Sequence, residues 1–210
     1  LELGCGDGAL WTQNLSKLPG NIHITLSDIS EGMLRDARRA IGGEDPRFSF
    51  KAFDCHTIPP RLGTFDLVIA NHVLFYCDDI GKVCKNVTKI LKPGGRFLCS
   101  TYGSRHMREV RLLVQSFDER IALSADKLYE RFGRENGTDI LSPYFQQITW
   151  KSYEDELIVT DAEPLISYIL SCHGNQNQYL PDRYKDFRAL VKKKTENGFH
   201  ITKDAGDISL

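Results

Sequence analysis

The sequence predicts an α/β fold on a mostly parallel sheet, and three observations carry that prediction. Leu1 to Gly8 runs an apolar and acidic stretch straight into three alternating glycines. Short strand-like runs then alternate with segments whose apolar residues recur at helical spacing. Phe65 to Ala70 is nearly all apolar, as expected of a strand covered on both faces. Strands separated by single helices imply right-handed βαβ units and therefore parallel neighbours.

Leu1 to Leu3 makes the first strand, and Gly4-Cys5-Gly6-Asp7-Gly8 makes a tight turn into a helix. Glycine lets backbone approach a ligand and adopt conformations that a side chain forbids. The N–H groups of the helix start face whatever lies over the turn, so the segment reads as a nucleotide cradle. Leu10, Trp11, Leu15 and Leu18 share one helical face, which Pro19-Gly20 stops. Ile22 to Leu26 is a second strand, ending at Ser27-Asp28. Ser30 caps the next helix, with Met33, Leu34, Ala37 and Ile41 as its buried stripe. Phe48 and Phe50 belong to a third strand, which closes at Phe53-Asp54. After the fourth strand, Asp78 or Asp79 caps a helix through Ile80, Val83, Cys84, Val87, Ile90 and Leu91. Lys92-Pro93-Gly94-Gly95 ends it, and Arg96 to Thr101 is a fifth strand.

The second half changes character. Val110, Leu113, Val114, Phe117 and Ile121 form one helical face, and Leu128 with Phe132 suggests a further short helix. Ile148, Trp150 and Ser152 alternate, as do Leu157 and Val159, so Gln147 to Thr160 reads as an edge hairpin turning at Glu154-Asp155. Thr160 and Glu163 have capping-box spacing before a helix through Leu165, Ile166, Ile169 and Leu170. A last helix carries Tyr184, Phe187 and Val191, and Phe199 to Leu210 reads as a hairpin turning at Asp204-Ala205-Gly206. The expected organisation is a core over residues 1–160 with a helical insertion at about 102–145. Residues 161–210 add a C-terminal helical extension and hairpin on the same domain. Residues 102–145 and 162–196, following strands at the ligand end of the sheet, are expected to wall an acceptor pocket.

Composition narrows the partners. A net charge of −1 carries no basic footprint, so nucleic acid is not an expected partner. Lys192-Lys193-Lys194 reads as the solvated end of a helix, where cations suit the dipole. The six cysteines include no C-x-x-C pair and several sit in apolar runs, which fits free thiols and a cytoplasmic setting. No run is long enough to span a membrane and no signal peptide is visible, so no membrane partner is expected. The chain begins without Met, inside a strand, and reads as a fragment whose upstream segment is missing. Oligomeric state is not legible.

Ligands of an open parallel sheet sit beyond the carboxyl ends of its strands. The residues there are the glycine turn, Asp28, Asp54 and Asn71-His72. An acid at Asp28, about 20 residues past the glycines, can accept both hydroxyls of a ribose. A carboxylate at Asp54 can accept from the exocyclic amine of adenine. The turn by itself leaves two cofactors open. Gly4, Gly6 and Ala9 satisfy the dinucleotide fingerprint. Gly4, Gly6 and Gly8 satisfy E-x-G-x-G-x-G equally well.

The combination is more specific than its parts. Glu2 to Gly8, Leu26-Ser27-Asp28-Ile29-Ser30, Phe53-Asp54, Phe65 to His72 and Leu91-Lys92-Pro93-Gly94-Gly95-Arg96-Phe97 together resemble class I S-adenosylmethionine-dependent methyltransferases of the type-11 group. The resemblance covers roughly the first half of the chain. It implies a Rossmann-like seven-stranded sheet in the order 3-2-1-4-5-7-6 with strand 7 antiparallel. It implies that Glu2, Gly4, Cys5 and Gly6 meet the methionine portion of S-adenosylmethionine, and Asp28 the ribose. Ile29 and Met33 would lie beside the adenine, Asp54 and Cys55 at its edge, and Asn71 with His72 at the methionine end. The activity implied is in-line methyl transfer to a small-molecule acceptor. Methyl transfer from a sulfonium asks the protein mainly to position and desolvate. A hydroxyl, amine or thiol acceptor also calls for a base, for which His106 and His72 are candidates, with Tyr76 and Tyr102 as orienting phenols. Cys172-His173 reads as a helix end, and no metal site is expected. The competing readings are an NAD(P)-dependent oxidoreductase, a non-catalytic S-adenosylmethionine-binding protein and a macromolecular methyltransferase.

Overall fold

The structure is a computed structural model that describes residues 1–123 and 127–210, and the side chain of Glu154 is not among its described parts. Residues 124–126 of the expected insertion lie outside the described residues. A seven-stranded sheet runs in the order β3-β2-β1-β4-β5-β7-β6. Its strands are β1 (Glu2–Leu3), β2 (Ile24–Asp28), β3 (Phe48–Ala52), β4 (Phe65–Asn71), β5 (Leu91–Tyr102), β6 (Thr149–Val159) and β7 (Phe199–Ser209). Between β1 and β5 all recorded pairings are parallel, with Leu3 beside Ser27, Leu26 beside Phe50 and Glu2 beside Ile69. Phe97 and Leu210 exchange both backbone hydrogen bonds, at 3.0 and 2.9 Å, the signature of an antiparallel pair. The order expected from the sequence is the one observed.

The helices are α1 (Ala9–Thr12), α2 (Glu31–Ile41), α3 (Ile80–Ile90), α4 (Arg108–Phe117), α5 (Leu128–Arg131), α6 (Gly137–Leu141), α7 (Ala162–Ser171) and α8 (Tyr184–Thr195). Ser30 caps α2 by accepting from Met33 N–H, and Asp79 caps α3 by accepting from Lys82 N–H. Lys192, Lys193 and Lys194 occupy the last turn of α8.

Four expectations are corrected. The expected hairpin over Gln147 to Thr160 is instead one strand, Thr149–Val159, at the sheet edge, where charged residues deter further pairing and do not mark a turn. Phe199 to Ser209 is also one strand. Asp204 is buried with its carboxylate against Arg134 and Arg105, and its carbonyl accepts from Gly103 N–H, so the ladder runs through the turn-like triplet. The segment from Leu10 to Leu18 breaks after Thr12 into a separate turn, Leu15–Lys17, where Asn14 donates its side-chain amide to Leu10 O at 2.7 Å. The α7 cap is Asp161, accepting from Glu163 N–H, in place of Thr160. Pro93-Gly94-Gly95 survives within β5 as a bulge: Leu91 pairs with Phe65 and Arg96 with Leu67, so Lys92 to Gly95 oppose Asp66 alone.

Two compact units are distinguishable. The first comprises Leu1–Thr101, Gly137–Lys151 and Asp207–Leu210. Its core includes Ile24, Leu26, Leu34 and Ile41, with Trp11, Phe48 and Phe50 packed against them. The second comprises Tyr102–Asn136 and Ser152–Gly206, and its core gathers α4, α7 and α8 through Val110, Leu113, Val114, Leu165, Ile169, Phe187 and Val191. Phe187 is fully buried and meets Phe117 edge-on at 5.2 Å. Phe187→Ala is expected to cost ~3–5 kcal/mol. Chemical denaturation monitored by circular dichroism checks this, and an unshifted midpoint would show that this cluster does not carry the second unit's stability.

Candidate functional site

Parallel pairing of β1 to β4 brings four chain segments to one sheet edge: the glycine turn, Asp28, Phe53-Asp54 and Asn71-His72. They line a cavity of about 560 Å³ together with Ile29, Met33, Cys55, His56, Val73, Tyr76, Cys77 and Asp78. All lining residues belong to the first unit.

The turn is tied to the second strand through Asp28. Its Oδ2 accepts from Gly6 N–H at 3.0 Å, and its Oδ1 accepts from Ser30 N–H at 2.8 Å. A carboxylate has about four acceptor positions, so capacity for ligand donors remains. Gly4 and Gly6 hold φ of 66° and 55°, the left-handed region that favours glycine. A Cβ on Gly4 would stand 2.4 Å from Val73 Cγ2, whereas one on Gly6 would meet no protein atom within 4 Å. Gly4 therefore answers to packing, and Gly6 leaves open space beside the cavity.

Asp54 closes the third strand. Its Oδ1 accepts from His56 N–H at 2.8 Å and lies 2.6 Å from His56 Nδ1. His56 Nε2 accepts from Asp79 N–H at 3.3 Å, which leaves the ring proton on Nδ1, donating to Asp54. Hydrogen bonds from the His56 backbone and ring hold the Asp54 carboxyl below its usual range. Asp54, Cys55 and His56 bring potential metal-ligand atoms within 4.8 Å of one another, but both imidazole nitrogens are already engaged.

At the end of β4, His72 has φ of 52° while its N–H donates to Ser100 Oγ at 3.1 Å. A non-glycine residue in this region stores strain that surrounding structure must hold. Its ring lies tilted against Phe75 at 6.1 Å. Ile29, Met33 and Tyr76 are 74%, 46% and 66% exposed, so the cavity carries apolar surface that a ligand can cover.

Three residues singled out from the sequence stand elsewhere. Glu2 is 3% exposed and outside the lining, with its Oε2 accepting from Trp11 Nε1–H at 2.5 Å. Burial pushes its carboxyl up to about 7, against the opposing Trp11 hydrogen bond. Cys5 is buried, outside the lining, and burial raises its thiol to about 12. Glu2 is held there by Trp11 of α1, and Cys5 packs in the cluster of Ile24, Leu26, Leu34 and Ile41. His106 belongs to the second unit, where its ring stacks on Tyr102 at 4.9 Å and its Nδ1 accepts from Asp204 N–H at 3.2 Å. Conversely, sequence reasoning missed His56, Val73, Cys77 and Asp78. The Asp54-Cys55-His56 spacing was a usable signal for His56, since an Asp accepting two residues on is a common turn. Val73 and Cys77 had none.

Two predictions follow from this geometry. Gly4→Ala is expected to destabilise the fold by ~2 kcal/mol or more, through positive φ and the Val73 clash, as read from the urea midpoint. Glu2 has a folded pKa near 7 against an ordinary value of 4.5, so the folded state binds the extra proton. Its contribution is present below about pH 4.5 and is lost as pH rises through 7, by up to about 3 kcal/mol. Glu2→Gln is expected to flatten this part of the stability profile between pH 5 and 8, and an unchanged slope would contradict the assignment.

A methyltransferase-domain family model matches residues 1–95. The chain is 29% identical over 203 residues to malonyl-[acyl-carrier protein] O-methyltransferase 1 of Ilyobacter polytropus, covering 92% of this chain and 72% of that one. The chain spans less than half the length of the next curated relatives it matches. The fold is similar to phosphoethanolamine N-methyltransferase 2 of Haemonchus contortus, solved with S-adenosylhomocysteine and phosphomonomethylethanolamine. That likeness has a TM-score of 0.57 and 19% identity, over 99% of this chain and 47% of that one. A Bacillus halodurans C-125 protein described as a candidate methyltransferase aligns with a TM-score of 0.64 and 13% identity, over 99% and 89% of the two chains. By the family match over residues 1–95, the sequence relatives and the sheet order, the chain is similar to S-adenosylmethionine-dependent methyltransferases and shares their fold.

Proposed function

We propose that the cavity beyond β1 to β4 holds the adenosyl group of S-adenosylmethionine and that the chain passes its methyl group to a small-molecule acceptor. The observation that carries this reading is the Asp28 bridge: an acid held on Gly6 N–H, in the wall of the same cavity as Asp54. Asp28 accepts from the ribose hydroxyls, as charge-assisted hydrogen bonds favour. Asp54, kept ionised by His56, accepts from the adenine amine. Ile29 and Met33 cover the adenine face, and the open side of Gly6 gives the ligand close access to backbone.

When bound, S-adenosylmethionine supplies a methyl group on a sulfonium, whose departure leaves a neutral thioether. The protein's share is to position the donor, exclude water and, for a hydroxyl or amine acceptor, take a proton. His72 is the proposed base, with Tyr76 orienting the acceptor, since both line the cavity at the end assigned to the methionine portion. The malonyl-[acyl-carrier protein] relative is named an O-methyltransferase, which supports an oxygen acceptor.

Calorimetry with S-adenosylhomocysteine and with NADH tests the reading. Saturable heat with the first alone is expected, and Asp28→Ala is expected to weaken binding roughly 100-fold. Heat with NADH alone, or an Asp28→Ala variant of unchanged affinity, would overturn it. His72→Gln is expected to lower kcat about 100-fold and to remove the acidic limb of the pH–rate profile.

A further inference from the structure

The cavity wall contains a feature that the adenosyl reading does not use. Cys55 Sγ and Cys77 Sγ lie 3.3 Å apart, although the residues are 22 positions apart in sequence. Both line the cavity, and both are free thiols. Cys55 stands in the turn Cys55–Thr57 that Asp54 caps, and Cys77 follows the turn Leu74–Tyr76 after β4. Two unconnected segments thus present their sulfurs to each other at the rim where the adenine edge is assigned.

We propose that Cys55 and Cys77 form a dithiol modification site that a small disulfide oxidises to a Cys55–Cys77 bond, weakening adenosyl binding in the cavity. The gating half rests on the functional reading above, whereas the dithiol itself does not.

The chemistry is thiol–disulfide exchange. The Cys77 thiolate attacks one sulfur of the small disulfide, whose S–S bond breaks and releases one thiolate. Cys55, losing its proton, then attacks the Cys77 sulfur and expels the second thiolate. The protein loses two protons and two electrons, and the small disulfide is reduced to two thiols. The order of attack follows from the pair itself. A hydrogen bond from the Cys55 thiol holds Cys77 below the ordinary thiol range, while that bond and burial hold Cys55 above it. Cys77 is buried as well but lines the cavity, whereas Cys5, Cys84 and Cys99 stand outside the lining with thiols that burial raises, Cys5 and Cys84 to about 12, so these three are poorer competitors.

A disulfide requires the sulfurs to close from 3.3 Å to about 2 Å. Asp54 and His56 flank Cys55, and Tyr76 and Asp78 flank Cys77, and all four line the cavity. Drawing the sulfurs together displaces these neighbours from the geometry that the adenine edge requires. Misplacement on the ångström scale at a binding site costs about tenfold or more.

The test uses the full chain incubated with cystamine or with dithiothreitol. Non-reducing peptide mapping reads the cross-link, and calorimetry with S-adenosylhomocysteine reads the affinity. The expected result is a linked Cys55–Cys77 peptide pair and binding weakened about tenfold, restored by dithiothreitol. Cys77→Ser is expected to bind equally in both redox conditions, with Cys77→Ala as the substitute if the serine variant does not fold. A folded, cystamine-treated protein without this cross-link, a dominant link through other cysteines, or a full cross-link with unchanged affinity would each overturn the proposal. If the reduced protein gives no heat at all, the adenosyl reading and the gating both fall, while the peptide map still decides whether the dithiol closes.

Discussion

The structure around the cavity depends on one carboxylate. Asp28 accepts from Gly6 N–H at 3.0 Å and from Ser30 N–H at 2.8 Å. It thereby joins the first strand's turn to the second strand's end and to the start of α2. Without that bridge, the Gly6 N–H would lose its acceptor in the protein, and a turn at positive φ would gain the conformational freedom that glycine carries. With it, turn and acid share one geometry, and a ligand that meets one meets the other.

The rest of the site is arranged in support. Val73 packs so closely over Gly4 that no side chain fits there, which couples the loop after β4 to the glycine turn. His72 accepts a strained backbone conformation one residue earlier, with its N–H anchored on Ser100 at the end of β5. Beneath the turn, Glu2 is buried against Trp11 and is held near neutrality. A group so placed ties the first strand to α1 and stands outside the cavity lining. The acid of the glycine motif and the acid after the second strand therefore do different work, although a sequence presents them as parts of one pattern.

The family match covers residues 1–95, the part that builds the cavity. The second unit has its own core, in which α4, α7 and α8 bury aromatic and aliphatic residues against one another. Its polar centre is Asp204, which takes Arg134 and Arg105 onto its carboxylate and offers its backbone N–H to His106. That arrangement explains how a triplet with turn chemistry sits inside an unbroken strand: a buried acid with charged partners is costly to displace.

The sequence by itself determined the order of strands and helices, the parallel half of the sheet and the cavity segments Gly4 to Gly6, Asp28, Asp54 and Asn71-His72. These are local or periodic signals: glycine at positive φ, acids closing strands, and caps such as Ser30 and Asp79 are written in neighbouring residues. Only the tertiary structure decided which side chains face the cavity and which face away. Burial turned Glu2 and Cys5 inward, and pairing at the sheet edge overrode two apparent hairpins. Packing of segments 22 residues apart set Cys55 beside Cys77, and it closed Val73 over Gly4. Contacts of that kind depend on where two distant stretches meet in space, and no spacing within either stretch records it.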